Sequence, residues 1–548
     1  MVAGHKSDET YERRAQLMLK PVKRQSSFYD VDYICEQLIP QDSFYRKFRE
    51  MLAALIKDKQ FESMYCKDNG RPAISPSLLA MATILQFHKN LSDREMEQAC
   101  MYDIQIKYAL GLALDERPFD HSSLGDFRKR LLENGKEKEI FDRILSHLIK
   151  QGLIEKNEIQ RIDATHVIAD IAVPTMVQLV KKSVFEILKP LKGRYKEAYK
   201  RIASEIDMTQ YTRESVMSEV PGKPDPEKKR RKLVEVVEDA RAVLRETRAI
   251  GDRDIRRKKD MLRRILQENL EKDEDGDVKE KIHKEKPRDL LISPIDLDAR
   301  AGRKSATKKF IGYKANVTET VDSRFITNIV AMPGNRHDGR TAVEAITEQK
   351  KLGLVPAKVI GDTAYGEGLI RKGLKEHGSE MIAPLCTVRS PHARLVYPKS
   401  MFKYDEKKKT LICPQGVMTR ESFRDYQKDI TIYHFPLSKC GKCPVRSKCT
   451  NSADGRRTVS ISSVNAELRE AEIYNRTDQF KEDMKLRPPI EGKLSELTRY
   501  HGLRRARYRG LNKVGLQFYF TAAAVNIKRW IKILMGKMKP KLKEAWAV

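Results

Sequence analysis

The order of its alternating segments limits most strongly how this chain can fold. EIQRIDATHVIAD (158–170), FIGYKANVTETV (310–321), RFITNIVAMP (324–333), AKVIGDTAYG (357–366) and EMIAPL (380–385) alternate apolar and polar residues as β-strands do. TAVEAITEQKKLG (341–353) and GLIRKGLKEHG (368–378) have helical spacing and a terminal Gly, and they separate the third, fourth and fifth of these strands. Strands in succession, then strand and helix in alternation, predict a mixed α/β sheet. Between the first and second strands lies a long charged insertion, residues 173–290. Pro221, Pro224 and Pro226 break it, and Leu233, Val237, Ala240 and Leu244 mark a helical seam. Its charge density predicts a solvated helical hairpin, lying along DNA or serving only as a charged spacer.

Ahead of the sheet, residues 1–157 read as helical. Ser75 and Pro76 form an N-cap and first turn before SLLAMATILQFHKN, and Ser92 with Glu95 has the spacing of a capping box. LGDFRKRLLENG follows as an amphipathic helix with a basic face and a Gly stop. Short helices ending in a basic one suit a DNA-reading helix-turn-helix, or equally a bundle at a dimer interface. The sheet segment spans 158–385, a Cys-rich segment 386–463, and basic helices 464–548. Lys and Arg number 107 against 77 Asp and Glu, a formal charge of +30 that favours a polyanionic partner. A ribosome-bound protein or one attracted to acidic membranes would carry the same excess. The N-terminal MVAGHKSDETYERRAQ lacks the apolar run of a signal peptide, and Val514–Val525 is too short to span a bilayer, so a buried helix and a cytoplasmic, nucleoid-associated protein are expected.

Asp163 and Asp362 are the acids that stand out, because each interrupts a strand pattern: QRIDATHV and KVIGDTAYG. Two acids on neighbouring strands can share divalent cations, one activating the attacking oxygen of a phosphoryl displacement and the other stabilising the leaving oxygen. The competing readings are a turn cap for Asp362 and an Arg partner for Asp163. Cys35, Cys66, Cys100 and Cys386 are scattered, whereas Cys413, Cys440, Cys443 and Cys449 cluster around a C-x-x-C knuckle, the usual thiolate set for structural Zn²⁺. Reduced thiols in a basic loop are the alternative. In HGLRRARYRGLNKV, Arg504, Arg505, Arg507, Arg509 and Lys513 interleave with Tyr500 and Tyr508, a pattern suited to phosphate and base contacts or to a solvated helix face. Glycine-rich nucleotide loops are absent from the sequence, which removes NTP-fuelled enzymes from contention.

RIDATHVIAD, GYKANVTETVDSRFITNIVAMPGNRHDGRTAV, VIGDTAYGEG and RPPIEGKLSELTRYHGLRRARYRG together resemble bacterial insertion-sequence transposases of the DDE class. The stretch from RPAISPSLLAMATIL to FRKRL resembles the helical domain many of them carry ahead of the catalytic core, so the likeness covers most of the chain in order. It implies an RNase H-like fold with a helical N-terminal domain, a long helical insertion and a small Cys-rich module. It also implies three acids binding two Mg²⁺ or Mn²⁺ ions, falling on Asp163, Asp362 and Glu491. The related signature is Y-x-x-R-x-x-x-E with a basic residue two turns later. Arg487 and Glu491 match it; Met484 replaces the Tyr, and Thr498, beside Arg499, replaces the Lys. Glu496 competes for the third position, and a dipole-favoured acid at a helix start competes as an explanation of Glu491. Arg487 would orient the carboxylate or hold phosphate. His337 and Asp338 resemble a recurring family feature and are second-rank candidates, with His166 and Asp170 behind them. The implied activity is metal-dependent cleavage and strand transfer of double-stranded DNA by a homodimer, with no membrane partner. The alternatives are an inactive zinc-containing DNA binder and a simple RNase H-like nuclease.

Overall fold

The computed structural model describes residues 31–36, 38–65, 73–171, 174–217, 226–273, 276–304, 307–385 and 396–536. Cys66, Cys386, Pro221 and Pro224 lie outside the described residues.

The mixed sheet is built around the strand that carries Asp163. Strand β1 (Gln160–Ile168) leads into the insertion, which ends in a hairpin of β2 (Leu270–Lys272) and β3 (Val278–Glu280). Then come β4 (Arg300–Arg303), β5 (Lys309–Thr320), β6 (Ile326–Pro333), β7 (Lys358–Ile360) and β8 (Glu380–Ile382). The order is β4-β5-β1-β7-β8, with β6 also on β5. β5 runs antiparallel to β1 and β6, while β1, β7 and β8 are parallel. Five of these strands are those expected from the alternation, and the two helices sit between them as Ala342–Lys351 and Gly368–Glu376. This is the RNase H-like mixed sheet. Ile162 packs with Ile346, Ile370 and Leu374 of those helices. Val167, Tyr313 and Val317 belong instead to the large cluster with Val514, Phe518 and Val525 of the last helix.

That last helix, Leu511–Leu534, carries sixteen buried residues, because its apolar side chains run right around it. It is enclosed between the sheet and the N-terminal helices. Phe520 stacks on Phe87 of helix Pro76–Lys89, with ring centroids 5.9 Å apart. Asn526 donates to the carbonyl of Ile326 and accepts its N–H, satisfying the start of β6. The N-terminal helices start as expected: Ser75 accepts the N–H of Leu78, and Ser92 with Glu95 closes the capping box. Helix His121–Glu133 differs from a uniformly basic face, since Arg128 is buried against Asp93 and the Tyr508 ring.

The insertion is more than a hairpin. Met176–Arg194, Lys196–Glu205, Pro226–Glu246 and Arg253–Asn269 enclose a core of their own, including Val184, Ile187, Val236, Val243 and Leu262. Leu233, Val237 and Ala240 of the expected seam are buried in it. The Cys-rich segment forms two three-stranded sheets. β9 (Lys403–Asp405), β10 (Thr410–Ile412) and β11 (Met418–Thr419) make one, and β12 (Ser422–Asp425), β13 (Ile430–His434) and β14 (Thr458–Ser462) the other. Phe402, Leu411, Tyr433 and Phe435 pack between them. No helix among the described residues is long and apolar enough to cross a membrane.

Since Phe520 ties the N-terminal helices to the last helix, Phe520→Ala should lower unfolding free energy by ~3 kcal/mol. Urea denaturation measures this, and limited proteolysis should then cut first among residues 44–150. An unchanged midpoint would show that the N-terminal helices and the last helix are not joined through this stack.

Candidate active site

Alternation along β1 puts Arg161, Asp163 and Thr165 on one face. Asp163 is 14% exposed. Its Oδ1 accepts the N–H of Ala164 at 2.8 Å, and its Oδ2 accepts from Arg487 Nη2 at 2.8 Å. Burial pushes its carboxyl up to about 6, with Asp362 and Asp338 adding to the rise and Arg487 and the Ala164 amide opposing it.

Asp362 follows β7. Its Oδ1 accepts the Ala364 N–H at 2.9 Å, capping the short turn Thr363–Tyr365, while its Oδ2 lies 3.9 Å from Arg487 Nη2. The cap and the site therefore coexist on one carboxylate. Gly361 is required just before it, because a Cβ there would fall 2.8 Å from Cβ of the fully buried Tyr365. Glu491 sits in the first turn of helix Ile490–Arg499, 72% exposed, with Oε1 3.9 Å from Arg487 Nη1. One guanidinium thus lies within 4 Å of carboxylates from three distant segments. Glu496 does not line this cleft: it pairs with Lys528 at 2.9 Å and Lys493 at 3.3 Å. Burial alone would raise its pKa, but these cations outweigh it and hold the group at about 2.

The acids line a cleft of about 600 Å³ whose wall also carries Asp338, Arg303, Lys304, Lys314, Arg499 and Arg504. Asp338 pairs with Lys314 Nζ at 2.6 Å. His337 does not line the cleft; its Nδ1 is 3.5 Å from Glu367. His166 does line it, but burial and the nearby Arg504 and Lys304 push its pKa down to about 4, so it is neutral at pH 7. Thr498 and Arg499, at the variant end of the signature, are both on the wall.

The basic segment divides by task. Arg504–Ala506 extends β1: Ile168 N–H donates to the Arg504 carbonyl, and Ala506 N–H donates to that of Ile168. Arg504 Nη1 donates to the His166 carbonyl at 2.6 Å. Arg507 is committed to the N-terminal helices through the Leu91 carbonyl and Asn90 Oδ1, over the Phe87 ring. Gly502 allows that approach, since a Cβ there would meet Asn90 Oδ1 at 2.0 Å. Arg509 pairs with Asp170 at 3.3 Å. Arg505 and Lys513 are exposed. Sequence reading missed Arg303, Lys304 and Lys314; only Lys314, a charge within a strand pattern, carried a signal.

Carboxylate oxygens are the donors a hard divalent cation takes, so the chemistry of the three acids suits one. Among the described residues, the one His/Cys/Asp/Glu group whose ligand atoms all lie within 4.8 Å is Glu97, Asp120 and His121, where Asp120 caps helix His121–Glu133. The three cleft acids are spread wider, around Arg487. Cys413, Cys440, Cys443 and Cys449 line a single pocket with Val445, Arg446 and Arg457. Burial raises the Cys449 thiol, Arg457 opposes, and the other three thiols add to the rise.

Residues 412–531 match a family described as a transposase DDE domain, and residues 33–130 match a transposase domain of the DUF772 type. Each match spans less than half of the chain, and together they support an insertion-sequence DDE transposase. The first match contains Glu491 and the four clustered cysteines, while Asp163 and Asp362 lie outside both. No curated protein and no solved structure matches the chain.

The raised Asp163 carboxyl has a stability consequence. Folded Asp163 titrates near 6 and the unfolded carboxyl in the usual range. The associated stability is therefore full below the unfolded value and lost as pH rises through about 6. In chelator at pH 8, Asp163→Asn should gain ~3 kcal/mol, and the gain should vanish near pH 4. Thermal melts across that range measure it, and a destabilised variant at pH 8 would contradict the assigned shift.

Proposed function

We propose that Asp163, Asp362 and Glu491 are the catalytic acids of DNA cleavage and strand transfer, and that they hold Mg²⁺ or Mn²⁺. The observation that carries this reading is the approach of all three to the single guanidinium of Arg487, at 2.8, 3.9 and 3.9 Å. A pair of such ions, when bound, supplies charge stabilisation for the attacking and leaving oxygens of an in-line displacement. The protein's part is positioning. β1 and the turn after β7 fix the two aspartates, the cap on Asp362 Oδ1 leaves Oδ2 directed at the cleft, and Arg487 is placed to meet a phosphate oxygen.

Arg499, Arg504, Arg303 and Lys304 then guide the strand to be cut, while Arg505 and Lys513 extend the basic surface. Arg507 and Arg509 serve the fold first. Asp338 acts through Lys314, and His337 stands one residue outside the cleft wall. Water cuts at the element's end, and the 3′-hydroxyl released attacks target DNA. Joining two ends requires two copies of the chain on DNA. The chain divides into an N-terminal helical unit (1–157), the sheet with its inserted bundle (158–385), the Cys-rich module (386–463) and the C-terminal helices (464–548). In the Cys-rich module Cys413, Cys440, Cys443 and Cys449 hold a structural Zn²⁺.

Asp163→Asn, Asp362→Asn and Glu491→Gln should each slow Mg²⁺-dependent cleavage of end-sequence DNA by roughly a thousandfold or more, with DNA binding retained. Unchanged cleavage by Asp163→Asn would remove the assignment. Joined products from paired ends distinguish a transposase from a nuclease that stops after hydrolysis.

Purified protein should contain about one zinc per chain, and Cys440→Ser should lose it together with a cooperative melting transition of the module. Metal analysis that finds no zinc in the parent protein would leave the thiols as ordinary reduced cysteines.

A further inference from the structure

One buried carboxylate anchors two arginines that grip the chain on either side of Arg487. Glu319 on β5 is fully buried and stands opposite Arg161 in the register of β1 with β5. Arg161 Nε donates to Glu319 Oε2 at 2.8 Å, and Arg324 Nε donates to Oε1 at 3.3 Å. Each arginine then reaches further. Arg161 Nη1 donates to the Leu486 carbonyl at 2.8 Å, and Arg324 Nη2 donates to the Pro489 carbonyl at 3.2 Å. These two carbonyls bracket Arg487 and Pro488, at the entry to the helix that bears Glu491. Lys493, buried one turn into that helix, lies 3.6 Å from Glu319 Oε1.

Burying such charges is costly, and an apolar cluster of similar volume would serve stability as well. An apolar cluster would lack donors aimed at two carbonyls. Those donors matter here, because Pro488 and Pro489 have no N–H to fix the link by itself. Arg161 is also two residues from Asp163 on the same face of β1, so one cross-strand ion pair spans from the first acid to the third.

We propose that Arg161, Glu319 and Arg324 are positioning residues that set the spacing of Asp163 from Arg487 and Glu491. The proposal rests on the reading of those acids as metal-holding. It is tested on the full chain with Mn²⁺ alone, binding being followed by electron paramagnetic resonance. Arg161→Met should bind Mn²⁺ about tenfold more weakly and need about tenfold more Mg²⁺ for half-maximal cleavage, with affinity for end-sequence DNA unchanged. Arg161→Lys keeps the pair with Glu319 but cannot also reach Leu486, so it should restore thermal stability and leave Mn²⁺ binding weak. Parent-like Mn²⁺ binding in Arg161→Met, or full recovery in Arg161→Lys, overturns the proposal. Should Arg161→Met fail to fold, Arg324→Met, at a side chain 37% exposed, gives the same reading, with an expected loss of about threefold and parent-like binding overturning it. Mn²⁺ binding or cleavage that survives Asp163→Asn would sink the acid assignment itself. An inactive Asp163→Asn beside an unaffected Arg161→Met sinks only the positioning.

Discussion

An ionised carboxylate on the central strand of a sheet needs a compensating charge, and the contact of Asp163 with Arg487 supplies it. The rest of the cleft is arranged by that contact. Arg487 is itself 20% exposed, and its Nη2 donates to Asp163 while the other two acids lie 3.9 Å from its terminal nitrogens. The same guanidinium approaches Asp362 and Glu491, which brings the turn after β7 and the start of helix Ile490–Arg499 to one point. Coulomb attraction among a few groups therefore links three parts of the chain that no local propensity would join. Charge compensation also explains why Asp163 stays accessible to ionisation despite burial: its pKa is raised only to about 6.

Holding these parts together is a problem of chain closure as much as of charge. β1 pairs with β5 along its whole length, although the insertion lies between them in sequence. The insertion has a core of its own, and loop-closure entropy grows only slowly with length, so its size adds little to the cost of bringing β1 and β5 together. At the far end of β1, Arg504–Ala506 continues the pairing, and the following helix runs buried beneath the sheet and against the N-terminal helices. The N-terminal helices and the last helix meet there. Deleting either would expose the apolar face of the other.

Local pattern made much of the fold legible. Five strands and two helices follow from periods of 2 and 3.6, and the caps at Ser75 and Ser92 from side-chain chemistry within four residues. Asp163 and Asp362 were visible because a charge in a strand pattern is unexpected. What the pattern could not carry was anything decided by distant packing. Arg507 looks in sequence like its neighbours, yet it faces Asn90, and Gly502 is favoured both by its positive φ and by the approach of Asn90. Glu496 and Glu491 differ by little more than a helical turn, and helical phase together with Lys493 and Lys528 turns Glu496 away from the cleft. The four longest helices of the insertion share an apolar seam too narrow to announce a separate core. Short strands β4 and β9 to β14 lack the length over which alternation becomes readable.

Sign and position of charge then limit what the cleft can accept. Asp163, Asp362, Glu491 and Asp338 in the lining of the cleft would repel a phosphate backbone, whatever the chain's net charge of +30. Arg303, Lys304, Lys314, Arg499 and Arg504 border the same space, so the field changes sign within a single opening. Because surface charges are screened over about 10 Å in ordinary salt, only cations this close can offset the acids. Positive residues on the inserted bundle cannot do so at a distance. Acids and cations therefore share one lining, so a cation added beside the acids and an anion drawn to the arginines would occupy the same opening.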